Sequence, residues 1–268
     1  MFTFTKTAAI ACLAVAGASL SFSAHAASVT ITVTEFSDRA TTVTAQQNAL
    51  NGHSLLQYED FEGFSATEPN GPYDFATETV ALSTDVGEFF AILPSGTGGS
   101  NRTPTDAAII RSNGDENNNG QPNYGRYDAD FGSLGSPVDP SFKFIDSNDN
   151  TGIRLATAET GEAFNYMSFI LTDFDDVGGA FFGIAVDGTD ISGPDSVPNS
   201  VVQGNGDIFL VELAFTGLVT DILVDMTIDT GDGFGADSFA MSVVPLPASL
   251  FFLLAGVGAL GFARKRHV

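Results

Sequence analysis

An all-β fold, a single jelly-roll-like β-sandwich, is what this chain predicts between its two ends, and three observations carry that expectation. About a dozen short runs of Val, Ile, Leu, Phe and Thr recur along the middle of the chain, several with apolar and polar residues alternating. Gly, Asn, Asp and Pro fill nearly every gap between them. Only one stretch outside the two ends has a credible helical pattern. Many short strands with turn residues between them and almost no helix is the signature of two packed antiparallel sheets.

At the start, Lys6 is the only charged side chain ahead of an apolar stretch from Ala8 to Phe22, and Ala24-His25-Ala26 is a small-x-small cleavage site. Residues 1–26 therefore read as an export signal, with the mature chain beginning at Ala27. Cys12 lies inside that signal and is the only cysteine. Its removal leaves no disulfide and no thiol chemistry in the mature protein.

The β-sandwich is expected over residues 27–243, a stretch of 217 residues that is long enough for a sizeable core. Val29, Ile31 and Val33 alternate with Thr in the first strand, Ser28 to Thr34. Thr44 to Leu50, closed by Asn51-Gly52, is the expected short helix. Strands are then expected at Ser54 to Phe61, Thr79 to Ser83, Glu88 to Leu93, Ala107 to Arg111, Ser141 to Ile145 and Gly152 to Ala156. Phe164 to Leu171, Ala180 to Val186, Asp207 to Phe215, Asp221 to Ile228 and Asp237 to Val244 complete the set. Ser95 to Asn123 is rich in Gly and Asn and reads as a long surface loop around the strand at Ala107. With 24 Phe and no Trp, the core must be built from Phe, Val, Ile and Leu.

Residues 244–268 form a tail of three parts: Val244-Pro245-Leu246-Pro247-Ala248, an apolar run over 249–263, and Arg264-Lys265-Arg266. At about 1.5 Å per residue the run gives roughly 22 Å of helix, short of the roughly 30 Å hydrocarbon core. Such a segment suits brief residence in the inner membrane better than permanent anchoring. The basic end stays cytoplasmic, which puts the sandwich on the far side.

This three-part tail resembles the VPLPA variant of the PEP-CTERM signals of Gram-negative bacteria. The resemblance implies that an exosortase, a membrane-embedded cysteine transpeptidase, recognises and cuts the tail. The sandwich segment is also similar to the bodies of exported proteins with such tails. The matching phrases are Glu59-Asp60-Phe61-Glu62-Gly63-Phe64, Gly125-Arg126-Tyr127 with Phe144-Ile145-Asp146-Ser147-Asn148-Asp149, Phe169 to Gly178, and Asp232 to Phe239. The implied destination is the cell surface or the exopolysaccharide matrix.

Charge narrows the partners. All 33 acidic residues fall in the sandwich segment, against Arg39, Arg102, Arg111, Arg126, Lys143 and Arg154, a net charge of −27. Nucleic acid and anionic lipid are poor partners for such a surface. The carboxylates keep an exported protein soluble, and some are placed to bind Ca²⁺, the only cofactor the pattern suggests. Without Trp, sugar stacking would fall to Tyr58, Tyr73, Tyr124, Tyr127 or Tyr166. His53 is the only histidine left after signal removal, too little for a His-rich zinc site or a histidine-relayed nucleophile.

Two Ca²⁺ candidates and one acidic cluster stand out. Asp115-x-Asn117-x-Asn119-Gly120 fits the first half of a Ca²⁺ loop, but Arg126 stands where the closing Glu belongs. Its metal-free alternative is a polar turn. Glu62 and Asp237, with Asp60 and Asp232 nearby, lie close to the two ends of the domain, where neighbouring strands in jelly-roll modules share a structural Ca²⁺. The alternative is that Asp232 and Asp237 serve a Gly-rich turn. Asp173, Asp175 and Asp176 read as a solvated strand end or as a site for a cation or for Arg126 or Arg154.

No nucleophile, phosphate-loop or dinucleotide motif is present, and no spacing selects a pair of carboxylates for glycoside hydrolysis. The chain therefore reads as a non-catalytic, structural or adhesive, glycan- and Ca²⁺-binding β-sandwich, with a secreted jelly-roll polysaccharide hydrolase or lyase as the alternative.

Overall fold

The computed structural model describes residues 28–36, 39–65, 74–93, 107–112, 143–147, 150–174, 181–190, 208–228 and 233–245. The expected export signal over 1–26 and the tail from Leu246 onward, with Leu246, Pro247, Ala248, Arg264, Lys265 and Arg266, lie outside the described residues. Among the described residues no helix is long and apolar enough to cross a membrane.

In chain order the elements are β1 (Val29–Phe36), α1 (Arg39–Leu50), β2 (Ser54–Glu59), β3 (Phe75–Ala76), β4 (Leu82–Thr84), β5 (Gly87–Ile92) and β6 (Ala108–Ser112). They continue with β7 (Lys143–Asp146), β8 (Gly152–Ala156), a 3₁₀ turn at Ala158–Thr160, β9 (Phe164–Thr172), β10 (Phe181–Val186) and β11 (Thr189–Asp190). The last three are β12 (Ile208–Val219), β13 (Ile222–Thr227) and β14 (Gly235–Val243). The fold is an all-β sandwich of two antiparallel sheets. One sheet has eight strands in the order β1-β12-β9-β14-β7-β6-β3, with β2 also paired to β14. The other has six, in the order β11-β10-β13-β8-β5-β4.

Alternation in sequence decides which side of each strand is buried. In β5 Phe89 and Ala91 face inward, and in β13 Ile222, Val224 and Met226 do. The eight-stranded sheet answers with Phe169 and Leu171 from β9, Val211 and Leu213 from β12, and Phe239 and Met241 from β14. Phe239 is the junction: its ring lies 5.0 Å from Phe89 across the sandwich, 4.9 Å from Phe169 in a stacked pair, and 6.1 Å from Phe61. The expected Phe-rich core is present.

Strands β9 and β14 are buried along nearly their whole length on both faces, because α1 covers the outside of the eight-stranded sheet. Val43 packs there with Phe144, Ile170, Ile208 and Leu210. The helix begins at Arg39, earlier than the expected start at Thr44. Its Thr41-Thr42-Val43-Thr44 run has weak helical propensity, and burial of Thr42, Val43 and Gln46 on one face overrides it.

The strand expected at Ala107 to Arg111 is present as β6, which pairs with β7 and β3 and buries Ala108 and Ile110 fully in the main core; the loop expected around it lies outside the described residues. One further expectation is corrected. Asp173 is not a solvated strand end. It is buried, with a left-handed backbone at φ 58°, because Phe174 turns the chain inward to pack edge-on against Phe234 at 4.8 Å.

Candidate functional site

The last residues of β2 and the turn between β4 and β5 enclose an open cleft of about 460 Å³, lined by Tyr58, Glu59, Asp60, Gly63, Phe64, Ser83, Thr84 and Asp85. Its floor exists because β2 leaves the sheet at Glu59. Phe61, in the left-handed region at φ 55°, turns its ring down onto Phe89 at 5.4 Å and Phe239. A left-handed aromatic residue is strained. Glu59 compensates, its Oε1 accepting the Phe61 N–H at 2.6 Å.

The rest of the turn is tied by main-chain partners. Asp60 Oδ1 accepts the Glu62 N–H at 3.3 Å, and Glu62 Oε1 accepts the Lys143 N–H at 2.8 Å. Lys143 Nζ donates in return to the carbonyls of Glu62 at 2.8 Å and Phe64 at 2.6 Å. The lysine thus neutralises a loop that would otherwise gather only negative charge.

Glu59 is the distinctive group of the cleft. It is buried, and its second oxygen accepts the Asp85 N–H at 3.4 Å, linking the end of β2 to the β4–β5 turn of the opposite sheet. Burial pushes its carboxyl above the ordinary glutamate range. The Phe61 and Asp85 N–H bonds oppose that shift, and the charges of Asp60 and Asp85 add to it. The Glu59 carboxyl therefore takes up a proton more readily than an exposed glutamate does.

A second, smaller cleft of about 370 Å³ lies on the six-stranded sheet, lined by Glu78, Phe90, Ala91, Ile92, Arg154, Ala156 and Leu223. Arg154 is committed there. It forms a two-pronged ion pair with its register partner Asp225, at 2.6 and 2.7 Å, while Asp175 and Asp176, the rest of the acidic cluster, lie outside the described residues.

The first strand, β1, pairs with β12 and not with the last; β14, which carries Asp237, pairs with β2, and Glu62 lies in the turn just after β2, where Glu59 faces Phe239. The two carboxylates have different surroundings. Glu62 caps the Lys143 N–H, while Asp237 is buried in β14 opposite Ile170, its Oδ2 accepting from Ser238 Oγ at 3.4 Å. Around it Gln46 Nε2 donates to Ser168 Oγ and to the Ser238 carbonyl, and Tyr58 donates to Ser238 Oγ at 3.2 Å. This network docks α1 over an irregularity in β14, where Ser238 has φ 56° and the register with β9 shifts. Among the described residues there is no cluster of three or more His, Cys, Asp or Glu side chains arranged to hold an ion. Asp232, Asp115, Asn117 and Asn119 lie outside the described residues.

Of the tyrosines, Tyr58 lines the first cleft, whereas Tyr166 is buried, its hydroxyl donating to Glu212 at 2.5 Å. Its place is structural and not that of a sugar platform. Tyr73, Tyr124 and Tyr127 lie outside the described residues. His53 is bonded to Ser242 Oγ and sits edge-on to Tyr166 at 4.7 Å, and burial lowers its pKa. It lines neither cleft.

Sequence reading missed Glu59 and Asp85 as a pair. The available signal was weak: an acidic residue ending a strand, and a second one in a tight turn 26 residues on. No family model matches this chain, and no curated protein and no solved structure matches it.

Proposed function

We propose that the chain is an exported, exosortase-sorted protein of the cell surface or exopolysaccharide matrix, with a non-catalytic, jelly-roll-like sandwich that binds glycan. The tail and the acidic surface support the location; the sandwich supports a binding or structural role. The observation that carries the reading is the use made of the described carboxylates. Glu62, Asp60 and Asp74 cap backbone N–H groups, and Asp146 and Asp225 pair with Arg111 and Arg154. They stabilise the scaffold and leave a polar cleft with Tyr58 and Phe64 on its wall, a lining suited to a sugar ring. Exosortase and the inner membrane are the transient partners, exopolysaccharide the lasting one, and a structural Ca²⁺ the fitting ion.

One observation favours a second reading, a polysaccharide hydrolase or lyase. Glu59, with its raised pKa, shares the cleft with Asp60 and Asp85, an acid beside carboxylates that glycoside chemistry can use.

A panel of neutral and acidic polysaccharides separates the two. Retention on a polysaccharide, lost in Phe64→Ala, with no new reducing or unsaturated end, supports the binding protein. Product formation that disappears in Glu59→Gln supports the enzyme. Neither retention nor product on any member would refute both.

A further inference from the structure

We propose that β1 is a self-association edge: two copies of this chain pair through β1, antiparallel about a two-fold axis at Thr32, and join their eight-stranded sheets into one.

The hydrogen-bond phase of β1 fixes which groups are offered. The Thr216 N–H donates to the Ser28 carbonyl at 3.0 Å, so that pair is of the hydrogen-bonded type. Such pairs alternate along an antiparallel ladder, so Thr30, Thr32 and Thr34 turn their main-chain groups toward β12. Those of Val29, Ile31, Val33 and Glu35 turn away from it, and among the described residues β1 pairs with β12 alone. A two-fold axis at Thr32 sets Ile31 against Val33 of the other copy and Val29 against Glu35. Main-chain groups then meet along nearly the whole strand.

The side chains match in the same register. Thr30 meets Thr34 and Thr32 meets Thr32 on the exposed face, while Ile31 meets Val33 on the face turned to the core. Val29, Ile31 and Val33 are only partly buried by their own sandwich, and a second β1 alongside would cover their open flank.

Among the described residues the other strands that end the two sheets are short. Strands β3 and β11 have two residues each and β4 has three, lengths that blunt an edge. Strand β2 is longer, but it has a register shift against β14 and ends in Glu59-Asp60. Strand β1 offers eight regular residues without Pro or Lys.

Charge points to a second copy as the occupant. Residues 27–51 carry only Glu35, Asp38 and Arg39, whereas the other 31 acidic residues of the chain all follow Asn51. The β1–α1 segment itself thus carries little charge, and Glu212 of β12, opposite Thr32, accepts the Tyr166 hydroxyl, so two strongly acidic copies meet little added repulsion at this edge.

Full-length protein carrying Cys12→Ser and Thr32→Cys, oxidised by dissolved oxygen with a copper catalyst, tests this. Facing residues of a non-hydrogen-bonded pair have Cα atoms about 4.5 Å apart, within disulfide reach. A Thr30→Cys thiol faces Thr34 of the other copy, and its twin lies four residues away, roughly 13 Å off. At least about tenfold more covalent dimer from Thr32→Cys than from Thr30→Cys is expected, with the Thr30→Cys and Thr34→Cys chains linking when mixed. Val33→Pro, which removes an outward N–H, should abolish the Thr32 link while the circular dichroism of the reduced protein is unchanged. Absence of a Thr32 link, equal linking at Thr30 and Thr32, or a link that survives Val33→Pro would overturn the proposal.

Discussion

Replacing Glu59 by Ala removes the one side chain that ties the end of β2 to both its own turn and the opposite sheet. The short bond to the Phe61 N–H, 2.6 Å, is charge-assisted and holds a strained left-handed residue; the 3.4 Å bond to Asp85 is weaker. Bonds to charged groups contribute about 1.5–3 kcal/mol and weaker neutral ones about 1, so a loss of roughly 2–4 kcal/mol follows. For a domain of this size that lowers Tm by about 4 to 16 °C. Glu59→Gln keeps one acceptor and should lose about half as much.

The same substitution has a pH signature. Because the folded carboxyl titrates above the ordinary glutamate value, the folded state holds more protons than the unfolded state between those two values. The contribution of Glu59 is therefore fully present below the unfolded value and falls as pH rises through the folded one. Urea unfolding of wild type and Glu59→Gln at neutral pH and at about pH 4.5 reads it directly, with wild type gaining on the variant at the lower pH. A Glu59→Ala loss under about 0.5 kcal/mol, or a difference from Gln that ignores pH, would refute the anchoring of the cleft by a buried carboxyl with a raised pKa.

Other outcomes follow from the packing. A Cβ on Gly152, which lies between β5 and β13, would run into the Met226 carbonyl, so Gly152→Ala should destabilise by about 1–3 kcal/mol or more in urea unfolding. Asp146 is fully buried against Arg111 at 2.6 Å; Arg111→Met should cost about 3 kcal/mol by the same assay, because it strips a buried carboxylate of its ion-pair partner. Millimolar Ca²⁺ should raise Tm by several degrees beyond an ionic-strength-matched NaCl control, since a ligand at about 100 times its Kd contributes roughly 2.7 kcal/mol. Asp115→Ala should remove that gain, and Asp237→Ala should lower Tm whether or not Ca²⁺ is present.

The strands whose two faces differ were the most readable from sequence. Phe89 and Ala91, or Ile222, Val224 and Met226, announce their buried side by alternation alone, and the expected and observed limits of β8 coincide. Three things were hidden for physical reasons. The two-residue strands β3 and β11 are too short to carry a period. The Thr41-Thr42-Val43-Thr44 run of α1 is made of residues that favour strands, and the apolar patch at Ile170, Ile208 and Leu210, distant in sequence, holds it as helix; Ser37-Asp38 just before α1, good cap residues, were the usable signal. The cleft depends on Glu59 meeting Asp85 across two sheets, which no local pattern encodes. Likewise the acidity of Asp173 suggested solvent, while its fate is set by Phe174 turning inward against Phe234.

The intact mass of the protein taken from the cells that make it tests most directly the central claim, that this sandwich is exported and sorted through its tail. The expected species lacks residues 1–26 and most of 249–268. A majority species that retains the apolar run and Arg264-Lys265-Arg266 would contradict it.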